Sequence, residues 1–377
     1  MWNDTAATRR LGIRYPIVQG PFGGGLSSAR LVAAVSNAGG LGSFGAQGLP
    51  PSRINEVVRD IRARTGAPFA VNLWVSTDDA DARAVTRERY DAALQTLAPY
   101  FAELHVEPPR FPLPPSPAFD EQMAGLLDAR PPVFSFVFGI PPERVLEQCR
   151  GRSIVTMGTA TTVDEAVALE RAGVDIVVAS AFEAGGHRPS FLRSPEASLT
   201  GLFSLVPQVS DAVDIPVSAA GGIADARGVA AALALGADGV QIGTAFLACE
   251  ESNAPPAHRN ALLGPRSGDT VLTRAFSGRL ARGLRNTVAD ALDARTESRL
   301  PYPLQGRLVG ALREEAIRIG RTDLIAMWGG QSAPLLRHRR AAALFDDLIT
   351  TTERILAHPT HVALGSPLRG GGAAVDT

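Results

Sequence analysis

Eight short apolar runs, each followed by a stretch of helical character, constrain this 377-residue chain more than any other feature. The runs are Ile17–Gln19, Leu41–Phe44, Phe69–Leu73, Val133–Phe138, Ser153–Met157, Ile176–Ala179, Pro216–Ala219 and Gly239–Ile242. Runs this short also suit buried helix, but glycine and proline bound nearly all of them, which favours strands. Between them Ser27–Ala38, Arg53–Arg64, Thr162–Ala172 and Asp225–Leu235 place apolar residues at helical spacing. Strict alternation of strand and helix predicts a parallel sheet. Eight units predict a closed (β/α)8 TIM barrel rather than an open doubly wound sheet.

Two regions break the rhythm. The proline-dense segment Tyr100–Pro117, with Pro108-Pro109 and Pro114-Pro115, predicts a loop excursion. After Cys249 the alternation stops, and Asn253–Leu300 reads as mostly helical and polar, followed by a helix at Gly310–Gly320. The expected organisation is a cofactor-binding barrel over 1–250 and a mainly helical lid over 251–318. A return to the barrel with a C-terminal helix follows over 319–355, then a disordered Gly/Pro/Ala-rich tail over 356–377.

Composition removes several chemistries. All 37 basic residues are arginine. Without lysine there is no Walker A lysine, no Schiff base and no kinase strand lysine, and arginine does not deprotonate to replace them. The formal charge of -1 gives no surplus to bind a nucleic-acid backbone. Cys149 and Cys249 form no metal-ligand pattern and no disulfide framework. No apolar run approaches the ~20 residues of a membrane helix, and Met1–Arg10 is not a secretory leader. A soluble, cytoplasmic protein without metal is expected.

Four motifs carry chemistry. Gly221-Gly222-Ile223 follows strand seven and Gly243-Thr244 follows strand eight. A lone Gly-Gly pair marks an ordinary turn, but on the last two strands of such a barrel the two turns form the common phosphate site. Asp225 is a candidate N-cap there. Glu183-Ala184-Gly185-Gly186-His187 follows strand six, where the glycines leave room for a flat ring beside the imidazole. His187 suits either a general base or a cation facing an anion. Gln19–Gly25 is a glycine-rich turn after strand one but not a dinucleotide fingerprint, and Asn72 ends strand three with an amide suited to a heterocycle. Ser277–Asn286 places Arg279, Arg282 and Arg285 at helical spacing, either a solvated face or a lure for anions.

These residues resemble the nitronate monooxygenase family, formerly called 2-nitropropane dioxygenases. The matching stretches are PIVQGPFGG, NAGGLGSFGA, FAVNLWV, FSFVFGIP, EAGGHRP, LVPQVSDAVDIPVSAAGGIADARGVAAALALGADGVQIGTAFL, FSGRLARGLRN and MWGGQSA, spanning Leu11 to Leu336. The resemblance implies an FMN enzyme that oxidises alkyl nitronates, or nitroalkanes, with dioxygen to a carbonyl compound and nitrite. It implies His187 as the catalytic residue. Flavin contacts carry over onto Gly20, Pro21, Phe22, Asn72, Ala184, Gly185, Gly186, Gly201, Gly221, Gly222, Gly243, Thr244 and Gln331. Ser180-Ala181 stand where many members have Gln-Gly, so a flavin contact there is replaced by Ser180 or lost. Pro189 stands where a glycine is usual, and the lysine that some bacterial members carry near the pocket is missing. A homodimer is left open. The same pattern covers flavin-dependent enoyl-ACP reductases and NAD(P)H:quinone reductases. A non-redox phosphate-binding barrel and a non-catalytic scaffold are more distant alternatives. No cysteine follows strand six, which sets aside a reading like IMP dehydrogenase.

Overall fold

The computed structural model describes residues 1–114 and 116–358. Eight parallel strands form one sheet: β1 (Ile17–Gln19), β2 (Gly42–Gly45), β3 (Phe69–Trp74), β4 (Val133–Val137), β5 (Val155–Ala160), β6 (Ile176–Ser180), β8 (Val217–Ala220) and β9 (Gly239–Ile242). Their order is β1-β9-β8-β6-β5-β4-β3-β2. A parallel bridge from Val18 to Leu41 joins the two ends, with Gln19 N–H donating to the Leu41 carbonyl at 2.9 Å. The sheet is therefore a closed (β/α)8 barrel.

Helix α1 (Ala6–Leu11) precedes it. Then α2 (Ala29–Asn37), α3 (Pro51–Arg62), α4 (Arg87–Glu103), α5 (Phe119–Ala129), α6 (Glu143–Gly151), α7 (Val163–Arg171), α8 (Leu202–Ser210) and α9 (Ala226–Ala234) alternate with the strands. After β9 come α10 (Thr244–Leu247), α11 (Pro256–Leu262), β10 (Thr270–Thr273), β11 (Ala281–Leu284), α12 (Thr287–Asp293), α13 (Leu304–Gly310), α14 (Arg313–Arg318) and α15 (Ala341–Ala357). No helix among the described residues is long and apolar enough to cross a membrane.

The strands are buried on both faces, as parallel sheets must be. Val18, Leu41, Ala70, Val133, Met157, Ile176 and Val178 fill the interior, joined by Leu11 from α1. Side chains alternate along a strand, so the residue two positions on faces the same interior, nearer the C-terminal mouth. That step leads from Val18 to Gly20, from Ala70 to Asn72 and from Val178 to Ser180. The strand pattern itself carries these residues to the mouth.

The structure departs from the sequence reading in five places. Helix α4 runs through Pro99 to Glu103, so the excursion expected from Tyr100 begins after Glu103. Its buried face, Tyr90, Ala93, Leu97 and Phe101, holds the helix while Pro99 sits on the exposed side. Residues 281–284 are a strand, not a helix, because β11 pairs antiparallel with β10. A further strand, β7 (Gly186–His187), lies in the loop after β6 and pairs with β11, His187 opposite Ala281. The expected Gly310–Gly320 helix divides, with α13 ending at Gly310 and α14 starting at Arg313. The tail expected from Leu356 lies outside the described residues from 359 on, and Leu356 and Ala357 still belong to α15.

Close packing of α2 on β2 depends on Gly42, where a Cβ would stand 2.1 Å from the Val32 carbonyl oxygen. Both partners are backbone, so neither can give way. Gly42→Ala is expected to destabilise the barrel by about 1–3 kcal/mol, as overpacked cores do, or to prevent folding. Thermal unfolding of the variant measures this, and an unchanged midpoint contradicts the packing described.

Candidate active site

The C-terminal strand ends open into a cavity of about 480 Å³, within the range of small-molecule sites. Its floor is built by the alternation described above. Gly20, Pro21, Phe22, Asn72 and Ser180 line it, with Ala184, Gly185, Gly186, His187, Gly221, Gly222, Gly243 and Thr244. Two residues singled out from the sequence do not. Gly201 caps the start of α8, where the Leu202 N–H donates to the Glu183 carboxylate at 3.0 Å. Gln331 is exposed, and only its backbone N–H reaches the site, donating to the Glu183 carbonyl. Its neighbours Gly329 and Gly330 do line the cavity.

The two glycine turns form a cradle. Gly221 and Gly222 have φ of +102° and +71°, values that favour glycine. A Cβ on Gly221 would lie 2.9 Å from the Ala181 carbonyl oxygen. Among the described residues no acceptor takes the backbone N–H groups of Gly222, Ile223, Gly243 and Thr244. Unanswered amides converging from two turns fit a phosphate. The side chain of Asp225 caps α9 by accepting from the Arg227 N–H at 3.0 Å. Thr244 Oγ1 accepts from the Gly330 N–H at 2.9 Å, which holds the 328–331 segment against the cradle. At Gly185 a Cβ would meet the backbone of Gly329 and Gly330 at 2.6 Å, so only glycine allows that approach.

His187 is fixed from both sides. Its backbone belongs to β7, and its Nε2 lies 2.8 Å from Ser277 Oγ. Ser277 Oγ in turn donates to the Arg279 carbonyl at 3.2 Å and accepts from the Arg279 N–H at 3.3 Å. Trp74 and Trp328 pack on the imidazole, with ring centroids 4.9 and 5.2 Å away. This enclosure, and secondarily the Arg279 charge, push its pKa down to about 3.

The three arginines of the insertion are not a solvated helix face. Arg279 lies between the rings of Phe138 and Tyr302, 4.4 and 4.3 Å from their centroids. It pairs with Asp79 at 2.8 Å and donates to the Ser76 carbonyl and hydroxyl. Arg282 is buried and donates to the Phe182 carbonyl at 3.1 Å. Arg285 is partly exposed and pairs with Asp290. Two of the three thus tie the insertion to the barrel mouth.

Sequence reasoning missed the wall of the cavity: Trp74, Tyr302, Phe276 and Trp328 line it, and Ser277 orients the histidine. Trp74 follows the interior alternation Ala70, Asn72, a readable signal. Tyr302 comes from a segment without periodicity and gave none.

Comparison with known proteins gives a consistent picture. A family model described as nitronate monooxygenase matches residues 4–351. A probable nitronate monooxygenase from Staphylococcus aureus is 39% identical over 360 residues, covering 95% of this chain and all of the relative. Among solved structures, a nitroalkane oxidase from Streptomyces ansochromogenes superposes with a TM-score of 0.85 at 37% identity, covering 94% of this chain and 99% of the other. FabK from Thermotoga maritima superposes with a TM-score of 0.72 at 29% identity, covering 94% and 97%.

The enclosure of His187 has a measurable consequence. Its folded pKa lies below the ordinary 6.5, so the unfolded chain takes up the proton first. The stability contributed by the neutral imidazole is present above pH 6.5 and is lost as the pH falls towards 3. In an NMR titration the His187 ring is expected to stay neutral from pH 8 to pH 5. Arg279→Gln is expected to raise its pKa. Titration near 6.5 in the unsubstituted protein contradicts this account.

Proposed function

The chain belongs to the nitronate monooxygenase family, an oxidoreductase family, and from that premise we propose that it oxidises alkyl nitronates, and nitroalkanes, with dioxygen to a carbonyl compound and nitrite, using FMN. The observation that carries this reading is a cradle of unanswered backbone amides sharing one cavity with His187.

The residues present fit FMN. The amides of Gly222, Ile223, Gly243 and Thr244 would hold its phosphate, with the glycines admitting it closely. Asn72, whose Nδ2 donates to Ser135 Oγ at 3.0 Å, keeps its amide oxygen for the heterocycle. Ser180 takes the position where many members carry glutamine. When bound, FMN supplies the redox chemistry, accepting electrons from the nitronate and passing them to dioxygen.

His187 handles the proton. The Ser277 hydroxyl donates to the Arg279 carbonyl and accepts from the Arg279 N–H. Its 2.8 Å contact with His187 Nε2 holds the imidazole in place for that role. A neutral imidazole removes the α-proton of a nitroalkane, whereas a nitronate needs no such step. In this reading residues 1–250 bind the cofactor and 251–318 cover the mouth. The rings of Trp74, Trp328 and Tyr302 wall the cavity around His187.

A reductase fed by NAD(P)H needs the same cradle, and the likeness to FabK keeps it as the second reading. The test is an anaerobic visible spectrum of the flavin-loaded protein. Bleaching by a nitronate and not by NADPH is expected, and bleaching by NADPH alone moves the chemistry to a reductase. His187→Asn is expected to retain FMN and lose about 10²–10⁴-fold in turnover of neutral nitroalkanes, the span of general-base catalysis. Its loss on preformed nitronates is expected to be much smaller. Steady-state rates on both substrate forms check this, and equal losses remove the base assignment.

A further inference from the structure

The cavity does not end at the barrel mouth. It continues under the insertion, where Gly306, Val309, Gly310 and Arg313 all line it. Their spacing is i, i+3, i+4 and i+7, one face of a helix. Ala311 and Leu312, between α13 and α14, keep helical dihedrals, so the face is continuous.

Each residue on this face has a physical peculiarity. Glycine weakens a helix, so two on one face need a reason. Neither adopts positive φ, and neither is demanded by packing. A Cβ on Gly310 would meet nothing within 4 Å, and one on Gly306 would make only ordinary contacts from 3.6 Å. What the glycines leave is open space along the cavity. Val309, Leu324 and Ile325 wall it and are almost wholly buried.

Arg313 stands at the end of this face. It is half-buried, and among the described residues no carboxylate or other acceptor pairs with it. The other arginines near the mouth have partners, Arg279 in Asp79 and Ser76, Arg282 in the Phe182 carbonyl and the Thr270 hydroxyl. His258, also in the wall, is buried with its Nε2 2.9 Å from the Trp328 carbonyl oxygen. Burial foremost, then the Arg313 and Arg259 charges, push its pKa down to about 4, against the opposing pull of that carbonyl. Neutral or protonated, His258 carries no negative charge and cannot pair with Arg313. A guanidinium without a carboxylate partner, lining the cavity with the buried Val309, Leu324 and Ile325, suits an anion from outside the chain.

We propose that this face is a substrate subsite, taking an apolar chain that ends in a carboxylate held by Arg313. The glycines give the chain its path and the guanidinium reads its far end. The inference rests on the nitronate-oxidation reading for what stands at the other end of the chain.

The test compares the nitronates of 1-nitrooctane and 8-nitrooctanoate with the flavin-loaded protein. Arg313→Gln is expected to lower kcat/KM for the carboxylated nitronate about ten- to a hundredfold more than for the plain one, chiefly through KM. Arg313→Lys is expected to restore part of the difference. Calorimetric titration with octanoate reads the subsite without turnover, and binding is expected in the unsubstituted protein and lost in Arg313→Gln. Equal losses on both nitronates, or octanoate binding indifferent to Arg313, overturn the inference. So does an Arg313→Gln variant that weakens NADPH alone, since the anion recognised is then a nucleotide phosphate. Arg313-dependent octanoate binding with neither nitronate oxidised keeps the subsite and removes the reaction assigned to the cavity.

Discussion

The pairing of Gly186 and His187 with Ala281 and Arg282 is the contact on which the site depends. A barrel alone delivers its loops to one mouth but leaves them free to choose a conformation. Here the loop after β6 becomes a strand because the insertion supplies an edge for it. The same edge brings Ser277 to the imidazole and Arg279 to the β3 loop at Ser76 and Asp79. One short antiparallel sheet therefore covers the cavity, orients the histidine and places a cation beside it.

Charge is managed in the same economical way. Arg279 and Arg282 are buried, a costly placement for a cation unless its donors are answered. Asp79, Ser76 and two aromatic faces answer Arg279, and the Phe182 carbonyl and Thr270 hydroxyl answer Arg282. Both arginines serve as struts between insertion and barrel. Packing against Trp74 and Trp328, and secondarily the Arg279 charge, lower the pKa of the His187 imidazole. That lowering works against a role for His187 as a standing positive charge.

Local pattern made the barrel legible. Each strand is a short apolar run between glycines or prolines, and period-two alternation then carries Gly20, Asn72 and Ser180 to the mouth. The glycine turns were readable because positive φ and close backbone approach, as at Gly221, demand that residue. The insertion was not readable in the same way. Residues 281–284 form a strand only because β10 and β7 flank them, a long-range pairing that no local periodicity announces. Arginine spacing there imitates a helix while the side chains are spent on tertiary contacts. The excursion expected from Tyr100 starts later because the buried face from Tyr90 to Phe101 carries α4 on to Glu103, with Pro99 on the exposed side. Gln331 and Gly201 belong to segments that support Glu183 from behind, and their placement follows from packing.

The central claim is that the two glycine turns recognise the phosphate of the cofactor. Comparing the binding of FMN and riboflavin to flavin-free protein, by quenching of flavin fluorescence, tests it most directly. The two ligands share the ring and differ in the phosphate. Several charge-assisted bonds to backbone amides predict that FMN binds at least about 10²-fold more tightly. Equal affinity for the two contradicts the assignment of the cradle at Gly221-Gly222 and Gly243-Thr244.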